Sequence, residues 1–416
     1  MARLDYELDW REKLTLAAII LQSFTGVSFG KIGKALLTPF HLVMGVLIGI
    51  GIFYAHKINR EILTILLILL LYMLGVNLVN ITNVKPTSVL YTVIFCTEMM
   101  ILYNLMKSSS IPLLKRAFEL IILLYFANVM LGMGTALAGL NVGWVEEIIR
   151  LYYMENGDIR PMGFSSEPSY AAFVITMAYL AYNHLNQHQF DKSVGLLSVA
   201  YVVSSILMKT SFGVLFIGIC LLDWVINLYP RCARSVRLMY PFFGIVATLL
   251  LVIALTNSDA KAIKRLSIVG EILSDPFDDN QKKMAKLQEK DGSAFARIGP
   301  TFILIAERDN LNFNIYTGAG AGTAGEFLLE MLTGVLIEDS DAASLDVGII
   351  PAYIIDYGFV GFILLWIFLL SIMYNLGLPF WLCFILVMFN ANINTQLLWF
   401  GITAGMAVSM CKEVRR

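Results

Sequence analysis

The chain has 416 residues, of which 58% are hydrophobic and only 15% charged, with a mean hydropathy of +0.74. Soluble domains carry about 45–50% apolar and about 25% charged residues, and the apolar surplus here cannot be hidden in one core. A soluble globular protein is therefore excluded, and the net charge of −1 excludes the basic footprint of nucleic-acid binding.

A helix crosses a bilayer in about 20 apolar residues. By that length the sequence predicts an all-α polytopic integral membrane protein, a single membrane domain over 1–416 with about twelve transmembrane helices. They fall near 14–30, 36–55, 62–82, 88–106, 117–139, 168–184, 194–208, 212–229, 239–256, 348–372, 378–393 and 396–411. The first run follows charged residues without a small-x-small cleavage site, so it is expected to be an uncleaved span. With the N-terminus inside, fifteen Lys and Arg fall in inner segments and six in the short outer ones. Basic residues favour the cytoplasmic side, which predicts both termini in the cytoplasm. The five cysteines lie in apolar spans or near inner ends and suggest no disulfide. The four histidines, His41, His56, His184 and His188, show no metal-ligand spacing, so no metal is expected.

Two outward segments are too long to be connectors, a first long loop at 140–167 and a second at 257–347. Within the second, 282–290 (KKMAKLQEK) suits a solvated helix face, and 301–307 (TFILIAE) a short amphipathic helix at the interface.

The sharpest segment is 160–170, RPMGFSSEPSY, at the mouth of the sixth span. Pro168 suits a first helical turn, where its missing N–H costs nothing. Glu167 then sits where the helix dipole favours an anion. A capped helix start with an interfacial Arg accounts for this much. Beside Gly163, however, the Arg160 guanidinium also offers a fork suited to phosphate oxygens, and Glu167 a carboxylate suited to a base.

The second segment is 292–297, GSAFAR, ending in Arg297, followed by Gly318, Gly320 and Gly322 in 317–323, TGAGAGT. No βαβ pattern flanks these glycines, which excludes a dinucleotide fold. Alternating glycines do allow exposed N–H groups to cradle an anion; a flexible loop tip is the plainer alternative. The third segment runs from Asp346-Val347-Gly348 to Asp356 and Gly358 in the tenth span, which puts Asp356 about 15 Å deeper than Asp346. Acids within spans are costly and face a cavity or a partner. Glu98 in the fourth span is either a buried hydrogen-bonded acid or part of a proton relay. Glu119 and Asp223 lie near inner ends and need no special role. Lys209, in the outer turn after the seventh span, suits snorkelling or a further positive charge for a diphosphate.

Taken in order, R-x-x-G-F-x-x-E-P-S at a helix start, an Arg in the long loop, G-x-G-x-G, and D-x-G…G-x-x-G entering a span resemble the Wzy-type O-antigen and exopolysaccharide polymerases. The resemblance covers roughly 150–365. It implies a GT-C-like, metal-independent glycosyltransferase without cofactor in the bacterial inner membrane, active on the periplasmic side. Its substrates would be undecaprenyl-diphosphate-linked oligosaccharides, met among membrane lipids, with a chain-length regulator and a flippase as candidate partners. By the same resemblance Arg160 and Arg297 bind the diphosphates. Gly163, Ser166, Pro168, Tyr170, Lys209, Gly318, Gly320 and Gly322 line the substrate. The related O-antigen ligases carry a His before the G-x-x-G span; here Asp346 stands in that region, which leaves the base open between Glu167 and Asp346. A ligase, or a transporter of lipid-linked glycans, are the alternatives.

Overall fold

A computed structural model describes residues 9–32, 35–51, 60–138, 149–153, 159–189, 191–228, 270–272, 274, 279–307, 311–331, 348–389 and 396–413. Their helices are α1 (Trp10–Gln22), α2 (Pro39–Gly51), α3 (Arg60–Val79), α4 (Pro86–Ser108), α5 (Ile111–Leu137), α6 (Pro168–Leu185) and α7 (Lys192–Leu207). After these come α8 (Ser211–Leu228), α9 (Asn280–Ala306), α10 (Ala324–Met331), α11 (Ile349–Ile372), α12 (Leu378–Met388) and α13 (Gln396–Glu413). Two short antiparallel hairpins interrupt them, β1 (Gly30–Ile32) with β2 (Ala35–Leu37) and β3 (Leu151–Tyr153) with β4 (Ile159–Pro161).

Local chemistry sets several of the boundaries. Proline occupies the first turn of α4, α5, α6 and α12, where no intrahelical N–H is needed. Asp191 caps α7 by accepting from the Val194 N–H at 2.8 Å, and Asp279 caps α9 through the Lys282 N–H at 2.7 Å.

Among the described residues, four helices, α3, α4, α5 and α11, are long and apolar enough to cross a membrane; α7, α8, α12 and α13 are shorter apolar helices. On α3, Leu67, Ile68, Leu71, Leu74, Leu78 and Val79 are all exposed. Exposed apolar residues recur along α7, α8 and α11. An apolar exterior around an apolar interior is what lipid solvates and water does not. The protein is an all-α membrane protein.

α6 is the central helix, buried along nearly its whole length and packed by α5, α7, α8, α12 and α13. Trp399 of α13 stacks on Phe95 of α4 with ring centroids 4.9 Å apart, joining the C-terminal helix to the N-terminal half.

Most expected spans that fall on described residues coincide with a helix, with two differences. The first helix ends at Gln22 rather than near 30. Ser23 turns its hydroxyl back onto the Ile20 carbonyl at 2.6 Å, and the following residues fold inward instead of continuing. And α12, at 11 residues, is about 16 Å long, roughly half the hydrocarbon thickness. The run at 239–256 lies outside the described residues.

In the second long loop, 282–290, 292–297 and 301–307 are not separate pieces. They form the single 27-residue helix α9, which runs through Pro300. α11 carries the opposite surprise, because its backbone leaves the helical region at Gly358 (φ 69°, ψ 179°).

Candidate active site

The 160–169 segment is held from several sides. β4 carries Arg160 opposite Tyr152 of β3, and the Met162 N–H extends the pairing to the Arg150 carbonyl at 3.0 Å. The chain then turns at Gly163 (φ 58°), where a Cβ would lie 2.7 Å from the Tyr125 ring. Ser165 is fully buried; it accepts from the Thr25 hydroxyl at 2.9 Å and lies 3.1 Å from the Tyr125 hydroxyl. Tyr125 also donates to the Ser23 carbonyl, and the Gly26 N–H donates to the Phe164 carbonyl at 2.8 Å. Phe24 stacks on Phe164 at 4.2 Å. The inward fold after α1 thus exists to floor this loop, and a Cβ at Gly26 would overlap the Ser165 backbone.

From that floor rise the polar groups. Ser166 is exposed. Glu167 is the N-cap residue of α6, but its carboxylate accepts from the Ser169 hydroxyl at 3.0 Å rather than from a helix N–H. Pro168 is buried in the first turn, and Tyr170 packs half-buried against the core. Arg160 is half-buried, and its Nε is buried without a hydrogen-bond partner among the described residues. A guanidinium nitrogen in that state costs free energy unless an anion or polar ligand meets it.

The rigidity of the loop has a direct test. Gly163→Ala is expected to lower the thermal unfolding midpoint of the solubilised protein, because left-handed backbone at a non-glycine residue costs about 1–3 kcal/mol before any clash with Tyr125. An unchanged midpoint would show that the loop does not pack on Tyr125.

The glycine run does cradle an anion, but that anion belongs to the chain. The Gly322 N–H donates to Asp356 Oδ2 at 2.9 Å. The Thr323 and Ala324 N–H groups and the Thr323 hydroxyl converge on Oδ1 at 3.1, 3.0 and 3.2 Å. The Ala319 and Gly320 N–H groups donate to the Ile355 and Asp356 carbonyls, and the Phe359 and Val360 N–H groups donate to the Ile315 and Tyr316 carbonyls. So the loop is laid into the break of α11 and satisfies the backbone groups which that break sets free. Gly318, Gly320 and Gly322 all have positive φ, and a Cβ at Gly318 would lie 2.6 Å from the Asp356 carbonyl oxygen. Asn77 of α3 accepts from the Ala321 N–H at 2.9 Å, and Lys85 pairs with Glu326 at 2.7 Å. These N–H groups are engaged internally, which turns the expected ligand cradle into a structural lock.

Of the other expected residues, Arg297 lies in the middle of α9 rather than in a loop. Asp346 lies outside the described residues. Lys209 sits exposed in the turn between α7 and α8 with φ 48°, followed by Thr210, whose hydroxyl accepts from the Gly213 N–H at 2.8 Å.

Two further polar clusters form across the fold, the first around Glu98, which the sequence marks as a costly acid without naming its partners. Glu98, 2% exposed, meets His41 Nδ1 at 3.0 Å, and Tyr91 lies 3.3 Å from His41 Nε2. The second Glu98 oxygen has no partner. Leu37, Leu90 and Ile94 join these three residues around a cavity of about 250 Å³. The partners come from α2 and α4, 57 residues apart, with no motif between them. The second cluster joins two of the histidines to an acid. His184 Nε2 and His188 Nε2 approach the two oxygens of Asp223 at 3.1 and 2.8 Å. His188 lies beyond the end of α6 at φ 52°, so helical spacing does not describe the pair, and Asp223 is buried rather than an ordinary end-of-span acid.

These features define an all-α membrane protein with a pinned Arg160–Glu167 loop at one end of its central helix. A scan against models of known protein families finds no match, and a search of curated proteins finds none.

Proposed function

We propose that the protein is a polysaccharide polymerase of twelve spans in the bacterial inner membrane, with both termini cytoplasmic and its site at the periplasmic face. The observation that carries this is Arg160, half-buried on a pinned hairpin with an unpartnered Nε. It is suited to a diphosphate lying at the lipid boundary. The exposed apolar helix faces suit a substrate that arrives on a lipid.

In the reaction, a hydroxyl at the non-reducing end of an incoming lipid-linked repeat attacks the anomeric carbon of the growing glycan. The bond from that carbon to the diphosphate oxygen breaks, and undecaprenyl diphosphate leaves with the electron pair. The hydroxyl proton passes to a carboxylate, Glu167 or Asp346. Arg160 and Arg297 meet the charge on the departing diphosphate.

The test is the glycan profile of a strain lacking the gene, with lipid-linked intermediates extracted alongside. Single repeats on the acceptor with the long-chain ladder gone are expected. Full-length polymer stranded on undecaprenyl diphosphate would instead identify a ligase. Repeats held on the cytoplasmic face would identify a transporter.

A further inference from the structure

We infer that His184, His188 and Asp223 form a binding site for one zinc ion at the far end of α6 from Glu167. The three residues are 8%, 4% and 1% exposed, and their ligand atoms lie within 4.8 Å of one another. A tetrahedral ion with bonds of about 2.0–2.1 Å needs ligand atoms roughly 3.3 Å apart. His184 Nε2 lies 3.1 Å from Asp223 Oδ1 and His188 Nε2 2.8 Å from Oδ2, somewhat inside that edge, so an ion would replace these two contacts with a small outward shift of the rings.

The surroundings fit the same role. The imidazoles meet edge to face with centroids 4.6 Å apart, so both Nε2 atoms converge on one carboxylate. Asn227 Nδ2 donates to Asp223 Oδ1 at 3.1 Å and to its carbonyl at 2.8 Å, the kind of outer contact that orients a metal-binding carboxylate. Trp224 walls the His188 ring at 5.6 Å. Gln187 and His188 are consecutive non-glycine residues at positive φ, 59° and 52°, a conformation that turns the chain back after α6 and brings the second imidazole to the carboxylate. A dication held by the buried carboxylate would balance its charge directly. The donor set of two imidazole nitrogens and one carboxylate is one that zinc accepts.

The consequence is mechanical. His184 is on α6, His188 just beyond it and Asp223 on α8, so the ion ties two helix ends together about 27 Å along α6 from Glu167. It takes no part in the proposed transfer.

The experiment is metal analysis of the full chain, purified in detergent without chelator and incubated with zinc, followed by X-ray absorption at the zinc edge. About one tightly held zinc per chain with two imidazoles in its shell is expected. Asp223→Asn and the His184→Ala/His188→Ala pair should each weaken retention by more than about tenfold. Stripping the ion should also lower the unfolding midpoint. A wild-type chain that stays free of zinc overturns the inference, and so does a zinc shell without imidazole. The spectrum of the wild-type protein decides the matter even if a variant fails to fold. Zinc held equally well by folded variants overturns it too.

Discussion

Arg160→Ala is expected to abolish long-chain polymer while leaving the protein in the membrane at its normal level. The two effects separate because the Arg160 Nε has no hydrogen-bond partner among the described residues. Removing a buried donor that lacks a partner relieves its desolvation cost, so the unfolding midpoint is expected to change little. Activity should fall by about 10²–10³, the usual cost of removing one preorganised donor from developing charge. Arg160→Lys should rescue poorly, since a point charge cannot reproduce the two-pronged contact with phosphate oxygens. Glycan ladders and thermal melts on the same samples read both effects. A normal ladder from the alanine variant would sink the diphosphate role, and a collapsed melting midpoint would show that Arg160 is structural instead.

Asp356→Ala should do the reverse and damage the fold first. Its carboxylate accepts from three backbone N–H groups and one hydroxyl of the glycine loop at 2.9–3.2 Å. Each buried donor left without a partner costs about 1–3 kcal/mol, and relaxation of the loop recovers only part of the sum. A loss of about 3 kcal/mol or more is expected, with new protease cleavage between 314 and 324. Asp356→Asn should fall between the two, because its amide keeps one acceptor oxygen but turns an NH₂ toward an N–H. If Asp356→Ala melts like wild type and resists protease, the lock does not hold the loop.

Much of this frame is legible in the sequence, for reasons that differ by element. α3, α4, α5 and α11 announce themselves because a bilayer demands a long apolar run and little else. Pro168 and Glu167 mark the start of α6 because proline at a first turn is a local, additive preference. The three-residue hairpins escape, since strands so short show no alternation to detect. The glycines suggest exposed N–H groups, but nothing local says that Gly322 gives its own to Asp356, 34 residues further on. For the same reason Asp223 looks like an ordinary acid at a span end until the fold brings His184 and His188 to it. Helix identity is encoded nearby, whereas partners for buried charge are chosen across the fold.

The break in α11 also bears on how the chain is made. The 315–324 tract depends for its backbone bonds on residues 355–360, which follow it on the ribosome by more than thirty positions. At about 5–20 residues per second, the tract waits some 2–7 seconds after its own synthesis before its partners exist. During that interval the amides of Ala319, Gly320, Gly322, Thr323 and Ala324 lack their later partners, while Ala321 already has Asn77. The loop therefore settles late, onto a helix already delivered to the membrane, and the polypeptide completes this part of itself from the C-terminal side backwards.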